Sequence, residues 1–360
     1  MPPKRRSYQW ESERLLFEID GSQKSGSGTL LRLSVALSAI SKQPLHIYNI
    51  RQNRPKPGLK PQHLEAVLIA AKLCNAELHG AKLNSRELWF EPNEIQSGNF
   101  ESKIGTAGSI PMLLMTVLPI CAFTKGTVRV HVTKGGTDVS HAPTTNYMRH
   151  ILLPTLKHMR VDATITVQKY GYYPKGMGEV TLTVKPQRSL QPLRLEAFGA
   201  LKSLKGVSVC TFLAEKKVAE RQAEAARHYL AEKGYSASIQ IVNDKSNPLQ
   251  KGSSIALWAK THTGAIIGAD AIGALGKTSE AVGREAAKKF CAELQAAPTV
   301  DTHLADMLVP YVALAEGTSS FLARGVSEHL EANMWLAEKM LGVKFYVERV
   351  NGLYRIRKGS

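Results

Sequence analysis

The residue whose setting offers the sharpest chemistry is His329, in the run Gly325-Val326-Ser327-Glu328-His329-Leu330. Ser327 carries a helix N-cap side chain. Leu330, Met334, Ala337 and Leu341 then continue as an apolar stripe at helical spacing. His329 therefore falls in a first helical turn, where the dipole favours neutral imidazole and attracts phosphate. Neutral imidazole is a nucleophile, whereas imidazolium is not. Arg51 and Arg54 flank Gln52-Asn53 just before Pro55-Lys56-Pro57-Gly58. The prolines restrict the loop, so two guanidinium groups are presented at low ordering cost. Bidentate contact with phosphate is their natural use, and a solvated basic turn is the alternative. The loop Gly21-Ser22-Gln23-Lys24-Ser25-Gly26-Ser27-Gly28 joins a strand to a helix. Its glycines let backbone N–H groups approach an anion, although it fits neither a Walker motif nor a dinucleotide fingerprint. A tight turn explains it equally well.

Other motifs reduce to structure. Gly276-Lys277-Thr278 suggests a phosphate loop, but Ala271 stands where that motif needs its first glycine. A helix start capped by Thr278 or Ser279 accounts for it. Cys74, Cys121, Cys210 and Cys291 are far apart in apolar surroundings, so they read as buried thiols without metal or disulfide spacing.

The 360 residues are 43% hydrophobic and 21% charged, which excludes wholesale disorder. A net charge of +17 favours polyanionic partners and speeds their encounter. The run Ile110–Phe123 is too short for a membrane span and contains Pro111 and Pro119, so it reads as a buried helix. No basic amphipathic helix points to a membrane surface. The start, MPPKRRSYQW, lacks a secretory apolar core, so the expected location is cytoplasmic; Lys4-Arg5-Arg6 admits nuclear import as an alternative.

The elements that must position these residues form a loose repeat. A strand over 15–20 leads through the Gly/Ser loop to a helix over 29–41 and a strand over 45–51. A second copy runs from the Ile104–Ser109 turn through the apolar helix to a strand over 127–133. A third runs from Thr299-Val300-Asp301 through a helix to a strand near 319–323. The expected fold class is α/β (α+β), with a main domain of three repeated strand–helix units over 11–197 and 296–360. Residues 1–10 make a basic flexible tail. Between 198 and 295 the rhythm changes to strands around a long charged helix, which reads as a small α/β insert domain. Helices are expected near 61–77 and 143–159. Asn351-Gly352 marks a closing hairpin.

These segments, taken together and in order, resemble the RNA 3′-terminal phosphate cyclases. The resemblance rests first on Asp20-Gly21-Ser22 with Gly26, Gly28 and Leu30-Leu31-Arg32. It continues through Ile50-Arg51-x-x-Arg54-x-Lys56-Pro57-Gly58-Leu59-x-x-Gln62-His63-Leu64 and Gly105-Thr106-Ala107-Gly108-Ser109. Gly135-Gly136-Thr137-Asp138, Ala142-Pro143, Gly171-Tyr172-Tyr173-Pro174-x-Gly176-x-Gly178, His303-Leu304-Ala305-Asp306 and His329-Leu330 complete it.

The resemblance implies a thioredoxin-like insert, and it implies that ATP, a divalent metal (Mg2+ or Mn2+) and an RNA 3′-phosphate give a 2′,3′-cyclic phosphate, AMP and pyrophosphate. His329 would be the adenylylated nucleophile. Arg32, Arg51 and Arg54 would bind phosphates with Gln62 nearby, Pro143 would pack on adenine, and Asp306 would serve the nucleotide or metal. The chain departs from the family pattern at Ser25 (usually glutamate), Ser27 (glycine), Thr29 (glutamine), Met115 (glutamine near the nucleotide) and His303 (a stacking tyrosine). Lys24 could replace the lost glutamate contact by meeting the triphosphate directly. The rival readings are a catalytically silent cyclase-like RNA-binding protein and an enolpyruvyl transferase. The first lacks the histidine and arginines present here; the second lacks the His329 and Arg51–Leu64 segments.

Overall fold

The computed structural model describes residues 15–187 and 189–359, so the basic tail over 1–10 lies outside the described residues. Four four-stranded mixed sheets make up the fold. Three of them share one plan. The first contains Phe17–Asp20, Leu45–Tyr48, Leu88–Glu91 and Glu77–His79 in spatial order. The second contains Gly98–Lys103, Val128–Gly135, Gly178–Val184 and Ala163–Lys169; the third contains Arg194–Leu195, Ser319–Ala323, Leu353–Lys358 and Phe345–Val350. In each, the first pair is parallel and the next two are antiparallel.

The parallel pair requires a crossover. It is supplied by Gly28–Ser41 in the first unit, Ile110–Cys121 in the second and Thr302–Leu314 in the third. A second helix follows each second strand, namely Pro61–Cys74, the interrupted segment Thr145–Lys157, and Glu328–Leu341. Each unit is therefore a strand–helix–strand–helix–strand–strand module, twice the length visible as a repeat in the sequence.

The crossover helices are central. Twelve of the fourteen residues of Gly28–Ser41 are buried, as are ten of the twelve in Ile110–Cys121. A helix apolar on every side belongs inside a core. The segment expected as one helix over 143–159 is instead a turn at Thr145–Tyr147, a π-helical turn at Met148–Leu152 and a helix at Leu153–Lys157. Pro154 has no N–H to donate to the preceding turn, which removes one rung of the regular ladder. The closing hairpin turns on Asn351 (φ 50°) and Gly352 (φ 82°), the paired left-handed residues of a two-residue turn.

The fourth sheet, ordered Ser238–Asp244, Leu201–Thr211, Gly252–Thr261 and Ile266–Ile272, lies in the chain between the first strand and crossover helix of the third unit. Helices Val218–Glu232 and Ser279–Ala296 pack with Ile255, Leu257 and Ile267. Ala256, Trp258, Val207 and Val209 belong to the main core instead. Alternation along a strand sends these two sets to opposite faces, so this sheet is covered on both sides.

Buried carboxylates stitch its border. Asp138 accepts from Ser254 Oγ at 2.8 Å, Asp270 from the Thr144 N–H at 2.7 Å, and Asp301 from the Gly268 N–H at 2.8 Å. Glu293 accepts from Arg324 and from Thr302 Oγ. Thr278 caps the last insert helix while Lys277 pairs with Glu285, so the Gly276-Lys277-Thr278 turn is a helix start. All four cysteines are buried free thiols.

Candidate active site

All three crossover helices direct their first turns to one cavity. Ser27, Ser109 and Asp301 cap them through side-chain oxygens that accept from backbone N–H groups within the next three residues. The first two turns deliver Thr29 and Arg32, then Met112 and Met115, then His303, Asp306 and Met307 to a cavity of about 410 Å³. His329 and Asn333 enter from the helix Glu328–Leu341, and Ala142, Pro143 and Tyr147 from the second unit. Convergent helix N-termini present partial positive charge and suit an anion.

His329 sits one residue after the start of its helix. Ser327 caps that helix by accepting from the Leu330 N–H at 3.0 Å, and donates its own hydroxyl to Asp306 Oδ1 at 2.5 Å. Asn333, one turn beyond His329, donates to the Asp306 carbonyl at 2.9 Å and accepts from Thr29 Oγ1 at 3.3 Å. These bonds fix the histidine-bearing turn to the crossover helices of the first and third units. Burial, then the charges of Arg32 and Arg54, hold the His329 imidazole below its ordinary pKa. The lowered pKa favours the neutral imidazole at neutral pH, and the residue, exposed to solvent, still lines the cavity.

Arg32 is buried, and burial followed by the Arg51 charge pushes it down to about 10. It forms no ion pair among the described residues. A buried cation with no counter-ion is costly, and a bound phosphate would supply the missing charge. His63 packs beside it, with burial and the charges of Arg32, Arg51 and Lys60 pushing its pKa to about 2. Its neutral ring lies where any Gly28 side chain would go, since a Cβ there would stand 2.3 Å from His63 Nε2 and 3.0 Å from Arg32 Nη1. This explains why Gly28 must lack a side chain.

The structure thus gathers Arg32, Met115, Pro143, His303, Asp306 and His329 around one cavity, and leaves Lys24, Arg51, Arg54 and Gln62 off its lining. Arg54 still reaches His329 electrostatically. Arg51 turns back on its own loop, donating to the carbonyls of Lys56 at 2.9 Å and Gly58 at 2.8 Å, so it shapes the loop rather than extending from it. Gln62 Oε1 accepts from the Ser109 N–H at 2.7 Å. Lys24 is exposed in a left-handed turn (φ 51°). Ser25 Oγ and Ser27 Oγ lie 3.0 Å apart, so the serine at the usual glutamate position is engaged with the helix cap.

Several lining residues escaped the sequence reading. Asn333 carried a signal, since it shares a helix face with His329. Asp270 and Lys289 come from the insert and carried none. Asp270 and Asp306 are both raised by burial, Asp306 to about 6, and each lies near His303.

Among the described residues, no three His, Cys, Asp or Glu side chains are grouped to hold a metal ion. Asp306 has Oδ1 engaged by Ser327, so the residues do not fit a protein-only metal centre.

A family model described as RNA 3′-terminal phosphate cyclase matches residues 23–347. The chain belongs to the RNA 3′-terminal phosphate cyclase family, a family of enzymes. It is 42% identical to the RNA 3′-terminal phosphate cyclase of Pyrobaculum aerophilum over 94% of this chain and 96% of the relative. The same named protein of Methanosarcina barkeri is 42% identical over 95% and 99%, and that of Methanopyrus kandleri 40% over 94% and 96%. Among the described residues no helix is long and apolar enough to cross a membrane.

Proposed function

We propose that this protein converts an RNA 3′-terminal phosphate into a 2′,3′-cyclic phosphodiester at the expense of ATP, with His329 as the transient AMP carrier. The observation that carries this reading is a neutral histidine in a first helical turn, sharing its cavity with the buried, unpaired Arg32. An imidazole nitrogen of His329 attacks the α-phosphorus of ATP; the P–O bond to the β-phosphate breaks, pyrophosphate leaves, and a phosphoramidate forms. A terminal oxygen of the RNA 3′-phosphate then attacks that phosphorus, freeing His329 and forming an RNA–AMP anhydride. The adjacent 2′-hydroxyl attacks the 3′-phosphorus, AMP departs, and the hydroxyl proton is lost to solvent. Tethering makes this last step intramolecular.

Arg32 and the three helix N-termini would meet charge developing on phosphoryl oxygens. Pro143 and His303 supply an apolar edge and a ring for the base. A divalent metal accompanying ATP would be held mainly by its phosphates, with Asp306 the nearest lining carboxylate from the main units. The strand order of the insert and its terminal helix support the thioredoxin-like reading of residues 198–295. A cytoplasmic location accords with this chemistry.

Incubation with ATP and Mg2+ or Mn2+ followed by intact-protein mass spectrometry tests the proposal. The expected result is the added mass of one AMP, absent in His329→Ala, with cyclic ends produced from 3′-phosphorylated RNA. Absence of any adduct with either metal would favour the silent RNA-binding alternative.

A further inference from the structure

Two loops remote from the cavity lining are clamped together. Gln250 accepts from the Lys175 N–H at 3.0 Å and donates to the Tyr173 carbonyl at 3.1 Å. Asn247 donates to the carbonyls of Tyr170 at 2.7 Å and Gly176 at 3.1 Å. This double clamp joins the loop after strand Ala163–Lys169 to the insert loop before strand Gly252–Thr261. On the surface so formed, Tyr173 is 78% exposed and Leu249 is 55% exposed. Lys175, Lys245 and Lys251 are exposed in the same two loops, and none forms an ion pair among the described residues. Asp244, which ends the strand before the insert loop, accepts from the Thr211 and Ser246 hydroxyls, and the three lysines leave a net positive charge around it. An exposed aromatic ring with three exposed lysines outside any ion pair has the composition of a single-stranded nucleic-acid platform.

This platform is packed onto the elements that frame the site. Gly176 packs against the turn at Ala107, with room for no side chain between them (2.9 Å from a Cβ to Ala107 Cα). The same turn rests on Gln62, which adjoins His63 and hence Arg32. A chain of direct contacts, through the Ala107 turn, the Gln62 side chain and the His63 ring, therefore joins the clamped loops to the buried arginine.

We propose that Tyr173, Lys175, Lys245, Leu249 and Lys251 form the track for the body of a single-stranded RNA whose 3′ end lies in the cavity. Tyr173 stacks on a base and the lysines neutralise phosphates several nucleotides upstream. This rests on the RNA-end reading above, but it assigns a surface the terminal chemistry does not require. The fixed double clamp keeps the track in place before RNA arrives, which lowers the ordering cost of binding.

The test uses the full chain and two probes. Binding of a fluorescent 20-nucleotide RNA with a 3′-hydroxyl is measured by anisotropy across salt concentrations, so it needs no catalysis. AMP adduct formation is measured separately. In K175E/K245E/K251E the RNA affinity should fall at least tenfold. The slope of log affinity against log salt should shrink by about 2, since single strands give roughly 0.7 per phosphate contact and three contacts are removed. Tyr173→Ala should weaken binding several-fold with the salt slope unchanged. Both variants should form the AMP adduct at the wild-type rate and cyclise a 3′-phosphorylated trinucleotide normally. Unchanged RNA affinity and salt slope in the triple variant would overturn the proposal and leave this face to a protein partner. Loss of the adduct in the wild type would instead overturn the reaction assigned to His329.

Discussion

Removing the Asp301 carboxylate should destabilise the protein more than most single substitutions. Asp301 Oδ1 accepts from Tyr147 Oη at 2.6 Å and from the N–H groups of His303 at 3.1 Å and Leu304 at 3.0 Å. Oδ2 accepts from the Gly268 N–H at 2.8 Å. One side chain thus caps the crossover helix of the third unit, holds a buried tyrosine of the second, and anchors a strand of the insert. Asp301→Ala removes the cap, worth about 1 kcal/mol. It also strands the Tyr147 hydroxyl and the Gly268 N–H, each costing about 1–3 kcal/mol when buried without a partner. The sum is about 3–7 kcal/mol. Asp301→Asn keeps one acceptor oxygen for the cap and Tyr147 but turns an amide towards Gly268, so it should fall between wild type and Ala. Urea unfolding followed by tryptophan fluorescence is a suitable assay, because Trp258 stacks on His150 at 4.2 Å across the same border. An Asp301→Ala protein within about 1 kcal/mol of wild type, the range of an ordinary substitution, would refute this account of the border.

Two further outcomes follow from the charges around the cavity and the border. Arg32→Met removes a cation that helps hold His329 below its ordinary pKa. The acid limb of the adduct-formation rate should move to higher pH, alongside a lower rate throughout; an unmoved limb would show that Arg32 does not tune the nucleophile. Burial, Arg149 and Lys260 hold His150 down to about 4, so between there and about 6.5 the unfolded chain binds a proton the native protein does not. Wild type loses that stability as pH falls through this window. His150→Phe keeps the stack on Trp258 without the proton. Two pH units below 6.5 correspond to about 2.7 kcal/mol unscreened, which solvent at the part-exposed ring reduces to roughly 1–2 kcal/mol gained relative to wild type by pH 4.5, measured by urea unfolding at each pH.

What was legible in the sequence was local. The turn at His329 follows from a cap at Ser327 and an apolar stripe, both within one helix, and the structure has them as expected. The helix over Ile110–Cys121 is likewise set by its own composition. The second helices and the closing hairpin were also legible, but the full strand complement of each unit was not. Strands such as Glu77–His79 and Gly98–Lys103 are short and largely exposed, so they lack the β-branched alternation that marks a strand. Arg51 shows a different limit. Its direction is set by carbonyls five and seven residues away in a left-handed turn, which sequence spacing cannot convey. Asp270 and Lys289 reach the cavity only because the insert sheet packs on the main core, a contact between distant parts of the chain.

The convergence of three equivalent helices on one cavity has a consequence for how such a site can diversify. Were the three modules separate chains around a common axis, every change at a given helix position would appear three times. A ring of three arginines would repel itself, and a ring of three aspartates would repel the phosphates. Covalent fusion lifts that constraint. Arg32 and Asp306 each stand in the second turn of their own crossover helix, with Met115 in the corresponding turn of the other. The three copies accordingly present a cation, a carboxyl group and an uncharged side chain to the one cavity. A nearly symmetric scaffold thus carries an asymmetric lining, and a change in one copy can alter one side of the cavity without altering the other two.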